Sequence, residues 1–162
     1  MATLSVLKFP TADGAQQMES TLLNLQKQHL IEVQDAAIVT WPQGKKQPKT
    51  QQLHSLTGQG ALIGAFWGML FGLLFFIPFV GLAIGAATGA LSGKFADYGI
   101  DDNFIKQTRE KVTEGTSALF LLTTGAVMDK LVEALKGQAF EIISTNLPQE
   151  KEEELRAAFG AE

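Results

Sequence analysis

Eight glycines at four-residue spacing, Gly60, Gly64, Gly68, Gly72 and then Gly81, Gly85, Gly89, Gly93, constrain this chain more than any other feature, and Pro78 stands between the two runs. An α-helix completes a turn in 3.6 residues, so residues four apart stack on nearly one line and each run strips the side chains from one helix face. Glycine at an interior helix site costs about 1 kcal/mol relative to alanine. That cost is offset where another helix closes into the bare groove, with no Cβ to hold the two backbones apart. The pattern predicts a helical hairpin turning at Pro78, and it assigns all eight glycines to helix packing and oligomerisation.

Charge patterning marks the same segment. Thr50 to Gly93 contains no Asp, Glu, Lys or Arg, and all 30 charged residues lie outside it. The flanks have the charge density of an ordinary soluble domain, while the middle reads as membrane or deeply buried protein. The first arm, Leu56 to Ile77, would be about 33 Å long as a helix, against a bilayer core of about 30 Å. The second, Phe79 to Phe95, reaches only about 26 Å. A two-pass hairpin would put both flanks on one side, and Lys45, Lys46, Lys49 and Lys94 make that side cytoplasmic. The tip, Leu73 to Ala83, has no polar residue, so it fits lipid, a dip into one leaflet, or the centre of an oligomer. Phe66, Trp67, Phe71, Phe75 and Phe76 load the first arm with bulk, whereas the second is nearly all small. This predicts aromatic helices on the outside of a bundle and small ones inside. An internal hairpin without oligomerisation, or a soluble oligomer whose hairpins bury one another, also fits the pattern.

The flanks alternate between two periods. Thr3 to Phe9 suits a strand closed by Pro10; Thr11 to Leu30 suits an amphipathic helix with Ala15, Met18, Leu22, Leu25 and His29 inward, capped by Thr11 or Asp13. Val33 to Trp41 returns to strand character, and the polar stretch from Gln43 to Gln52 reads as an exposed loop. After the hairpin, Asp101 or Asp102 caps a helix running to about Glu114, with Phe104, Ile105, Thr108 and Val112 inward. A strand over Ser117 to Thr124, a helix from Gly125 carrying Val127, Met128, Leu131 and Leu135 on one face, and a strand over Ala139 to Thr145 follow. Pro148 to Phe159 is a short acidic helix with Leu155 and Phe159 on one side.

The fold class expected is therefore α+β: a ferredoxin-like split βαβ sandwich with a long glycine-zipper helical hairpin inserted between its two halves. The expected organisation is residues 1–49 for the first half, 50–96 for the hairpin, 97–147 for the second half with its leading helix, and 148–162 for the C-terminal helix. The second sheet face needs a cover, from the Asp101 helix, the C-terminal helix or another subunit.

Little in the residues points to chemistry. Gly58, Gly60 and Gly64 mimic part of a dinucleotide fingerprint, but no apolar strand leads into them. His29 and Glu32 lack a third metal ligand. Asp97, Asp101 and Asp102 are explained by helix capping more simply than by a cation. No nucleophile, base and orienting acid stand at recognisable spacing, so no catalytic residue, cofactor or metal is expected. The absence of cysteine excludes disulfides and thiolate chemistry, and a net charge of −4 argues against nucleic acid as a partner. The first 20 residues lack the apolar core of a signal peptide, which places the flanks in the cytoplasm. Lys45, Lys46 and Lys49 suit anionic lipid headgroups, or simply water.

The zipper from Gly60 to Gly93, the Pro78 turn and the run DYGIDD from Asp97 to Asp102 resemble a bacterial family of predicted membrane proteins of unknown function. The resemblance spans nearly the whole chain and implies a non-enzymatic protein. The function expected is a homo-oligomeric assembly or scaffold protein, with itself and membrane lipid as partners, at the bacterial inner membrane with both flanks cytoplasmic. A cytoplasmic soluble ring or shell and a small-ligand-binding module on the sheet face are the alternatives.

Overall fold

Strand β1 (Ala2–Phe9) pairs on both sides, with β4 (Ser117–Thr124) and β5 (Glu141–Leu147), and β4 pairs in turn with β2 (Asp35–Thr40). A short edge strand, β3 (Lys49–Gln52), completes one five-stranded antiparallel sheet in the order β3-β2-β4-β1-β5. The computed structural model describes residues 2–28, 33–53, 64–76, 95, 99–135, 140–148, 150, 153–155 and 157. Because β1 and β2 both run antiparallel to β4 between them, they point the same way, and α1 (Gly14–Lys27) makes the crossover. By the same logic β4 and β5 flank β1 in parallel, joined through α4 (Gly125–Ala134). The protein is thus α+β, as its alternating periods predict.

Side chains alternate across a strand, and here both faces are apolar, so two cores form. Leu7, Phe9, Ala36, Ile38, Leu119 and Leu121 meet Ala15, Met18 and Leu22 of α1 and Leu131 of α4, with Leu135 just beyond it. Leu4, Val6, Ala37, Val39, Phe120 and Leu122 face the other way. Their cover comes from α2 (Gly64–Phe71) and a π-helical turn over Gly72–Phe76, within the segment expected as the first arm, together with α3 (Asp102–Lys111), Phe95 and Leu155. Central strand β4 is buried from Ser117 to Thr123, which explains its unbroken apolar run.

The local signals hold at α3. The Asp101 carboxylate accepts from the Phe104 N–H at 2.9 Å, and Phe104, Ile105, Thr108 and Val112 are buried. Gly99 has φ of +95°, where only glycine sits without strain, and it turns the chain so that Ile100 N–H bonds the Phe95 carbonyl.

Several expectations need correction. The stretch Gln43 to Gln52 is not loop throughout: Lys49–Gln52 pairs with Thr40 to Ala37 of β2. An edge strand needs only backbone partners and tolerates a polar sequence, so no apolar alternation announces it. The boundary placed at residue 50 runs through this strand. The last strand lies at Glu141–Leu147 rather than Ala139 to Thr145, a range set by its register against β1, where Val6 faces Ile143 and Ala2 faces Leu147. At the start of α1 neither Thr11 nor Asp13 caps with its side chain. Ser117 reaches over from β4 instead: its hydroxyl accepts from Ala15 N–H at 2.8 Å and donates to the Thr11 carbonyl at 2.7 Å. His29, the second arm and Phe159 lie outside the described residues.

Ser117→Ala would leave the buried Ala15 N–H at the start of α1 without its acceptor. The variant is expected to lose about 1–3 kcal/mol of stability, read as a lower urea midpoint at unchanged m-value.

Candidate functional site

The helical segment of residues 64–76, expected as the first arm of a hairpin, has two unlike sides. Helical spacing brings Trp67, Leu70, Phe71 and Leu74 onto one face, and each is at most 3% exposed. Phe71 meets Phe120 of β4 edge-on with centroids 5.1 Å apart, Trp67 stands edge-on to the same ring at 6.3 Å, and Phe66 packs against Phe95 at 5.9 Å. The prediction of an outward aromatic wall is therefore reversed. The unfilled sheet face offers a rigid apolar surface, and large flat rings remove more area from water there than small residues would. Phe75 turns to the edge of this layer and meets Trp41 at 5.9 Å.

The opposite side is bare. Gly68 is exposed and Gly72 half-exposed, and a Cβ built on either would find nothing within 4 Å among the described residues. Gly64 begins α2 on the same four-residue ladder. Gly60, Gly81, Gly85, Gly89, Gly93 and Pro78 lie outside the described residues. Among the described residues no helix is long and apolar enough to cross a membrane.

A polar tie fixes the arm to the sheet, and it passed unnoticed in the sequence. Asp35 opens β2 and is fully buried. One carboxylate oxygen accepts from the Trp67 indole N–H at 2.9 Å; the other accepts from Ala36 N–H at 2.8 Å. The Gln52 carboxamide, on β3, donates across both oxygens at 3.1 and 3.3 Å. A buried carboxylate is tolerated only when its lone pairs are satisfied, and here strand, edge strand and hairpin arm each supply a donor. The available signal was a lone Asp before an apolar strand combined with a Trp in a helix otherwise without polar side chains. An indole buried in such surroundings needs an acceptor.

Lys45 and Lys46 are exposed on the β2–β3 loop and Lys49 is exposed at the start of β3. The loop turns at Gly44, with φ of +89°, and the Trp41 indole N–H donates to the Lys45 carbonyl at 2.8 Å. On the α1 side of the sheet, beside β3, an open groove of about 760 Å³ has Ile38 and Leu53 among its apolar lining, and Glu19 and Lys49 among its charged lining. Among the described residues, no group of three His, Cys, Asp or Glu is placed to hold a metal ion.

A family model described as "Protein of unknown function (DUF1269)" matches residues 61–160, from the first arm through α3, β4, α4 and β5. The chain belongs to that family, in agreement with its resemblance to a family of unknown function. No curated protein and no solved structure matches the chain.

Asp35→Ala would leave the buried Trp67 indole N–H without the acceptor that Asp35 supplies. A loss of roughly 2–4 kcal/mol is expected, whereas Trp67→Phe in the Asp35→Ala background should cost clearly less than Trp67→Phe alone. Additive losses in that double-mutant cycle would show that the two side chains are not coupled.

Proposed function

We propose that this member of the DUF1269 family is a non-enzymatic, homo-oligomeric assembly protein. The observation that carries the reading is the two-sidedness of the first arm. Its bulky side is consumed by its own sheet, while on its glycine side Gly68 is exposed, Gly72 is half-exposed and neither has a described neighbour within reach of a Cβ. Such a surface suits close approach by another helix, because backbone meets backbone over the full ladder. The sheet is read as a ferredoxin-like split βαβ unit, supported by the order β5-β1-β4-β2 and by crossover helices on one face. Strand β3 is then an addition at its edge, with the glycine-zipper hairpin inserted after it.

The proposed location is the inner face of a bacterial membrane, with the sheet on the cytoplasmic side. Because Phe66 to Leu74 are occupied by the sheet, contact with lipid falls to the apolar sequence beyond Phe76. Burial of the aromatic side within the same chain also favours a second reading, a soluble ring or shell in which hairpins bury one another. Fractionation with a carbonate wash separates the two: retention in the membrane supports the first, and a uniform multimer in the cytosol the second.

Gly68→Leu and Gly72→Leu test the shared core of both readings. A Cβ at either position meets no described neighbour within 4 Å, and replacing glycine inside a helix gains about 0.5–1 kcal/mol, so the monomer fold should be kept or slightly stabilised. Particle mass by light scattering is expected to fall to that of a smaller species at unchanged circular dichroism. Wild-type mass in both variants would overturn the role of the glycine face.

A further inference from the structure

Trp41, Phe75 and the basic loop meet at one corner of the molecule. We infer that this corner is a docking surface for an anionic lipid bilayer, with Lys45 and Lys46 reading the headgroups and the Trp41–Phe75 pair seated at the headgroup level. The inference rests on the membrane reading above and narrows it to a lipid charge and to named contacts. The first support is placement. Phe75 lies one residue from the end of the described arm, where the sequence enters the wholly apolar tip at Ile77 and Pro78. Its ring stands at right angles to that of Trp41, 5.9 Å away, and both side chains are only partly buried. The structure thus puts the approach to the greasiest segment of the chain directly beside the basic loop.

The second support is charge. Neither Lys45 nor Lys46 forms an ion pair among the described residues, although the chain as a whole is acidic with a net charge of −4. The carboxylate that touches this loop, Glu114, accepts from Gly44 N–H at 3.1 Å and from the Gln43 carboxamide at 3.2 Å, at the base of the turn, and not from a lysine among the described residues. That contact holds the loop in place, while Lys45 and Lys46 are exposed. The Trp41 indole bonded to the Lys45 carbonyl adds an amphipathic ring with one polar edge, the type of side chain that settles at membrane–water interfaces. Basic residues beside an interfacial aromatic pair complement a surface of negative potential that begins where hydrocarbon ends.

The test is flotation of the full-length chain with vesicles of phosphatidylcholine alone or mixed with phosphatidylglycerol. Wild type should bind the anionic vesicles far better than the neutral ones, and raising the salt to about 0.5 M should remove most of the difference. Lys45→Glu and Lys46→Glu, singly and together, should weaken anionic binding by about fivefold per site at the least, with the neutral-vesicle signal unchanged. Equal binding to both vesicle types, unaffected by the two reversals and by salt, would overturn this surface while leaving the hairpin as the membrane contact. Failure to bind either vesicle would overturn both readings. Because the salt series needs no substitution, the outcome does not depend on the variants folding.

Discussion

Everything in this structure turns on a carboxylate buried under a helix. Asp35 sits where β2, β3 and the first arm of the hairpin converge, and it takes a hydrogen bond from each of them. Packing of Phe66, Trp67, Leu70, Phe71, Leu73 and Leu74 supplies the larger share of attachment, at about 1.5–3 kcal/mol per fully buried side chain. Apolar packing alone, however, has no preference for a sheet over lipid, since hydrocarbon accepts the same rings equally well. Two things discriminate. Withdrawal of the arm would uncover the sheet face around Phe120, and it would leave Asp35 without the Trp67 indole. The arm therefore belongs to the domain rather than projecting from it.

This arrangement changes what the glycine ladder is for. A hairpin standing free would need its small face for its own second arm and its bulky face for lipid. With the bulky face on the sheet, exposed Gly68 and half-exposed Gly72 are turned away from it, as the proposed helix contact requires. The β2–β3 loop and the Trp41–Phe75 pair lie beside the end of the same segment, so the assembly and lipid contacts proposed above would fall on adjacent regions.

Much of the frame was legible in the residues. The alternation of strand and helix periods, the buried stripe of Ala15, Met18 and Leu22, the Asp101 cap and the inward side of α3 all appear where local spacing puts them. What escaped was set by tertiary pairing. Strand β3 has no hydrophobic pattern because an edge needs none, and the Ser117 cap of α1 comes from a residue a hundred positions away. The orientation of the first arm was misread for a related reason: bulk on one helix face shows that the face is covered, not what covers it. Asp35, which no local pattern singles out, is the residue that ties this layer to the sheet.

The most direct test of this account is the environment of Trp67, isolated in a Trp41→Phe variant of the purified chain bound to vesicles. If α2 is a layer of the domain core, its emission will be that of a buried indole, poorly quenched by acrylamide in water and poorly quenched by brominated lipid in the bilayer. Strong quenching by brominated lipid would place Trp67 among acyl chains and contradict the claim that the first arm is held by Asp35 on the sheet.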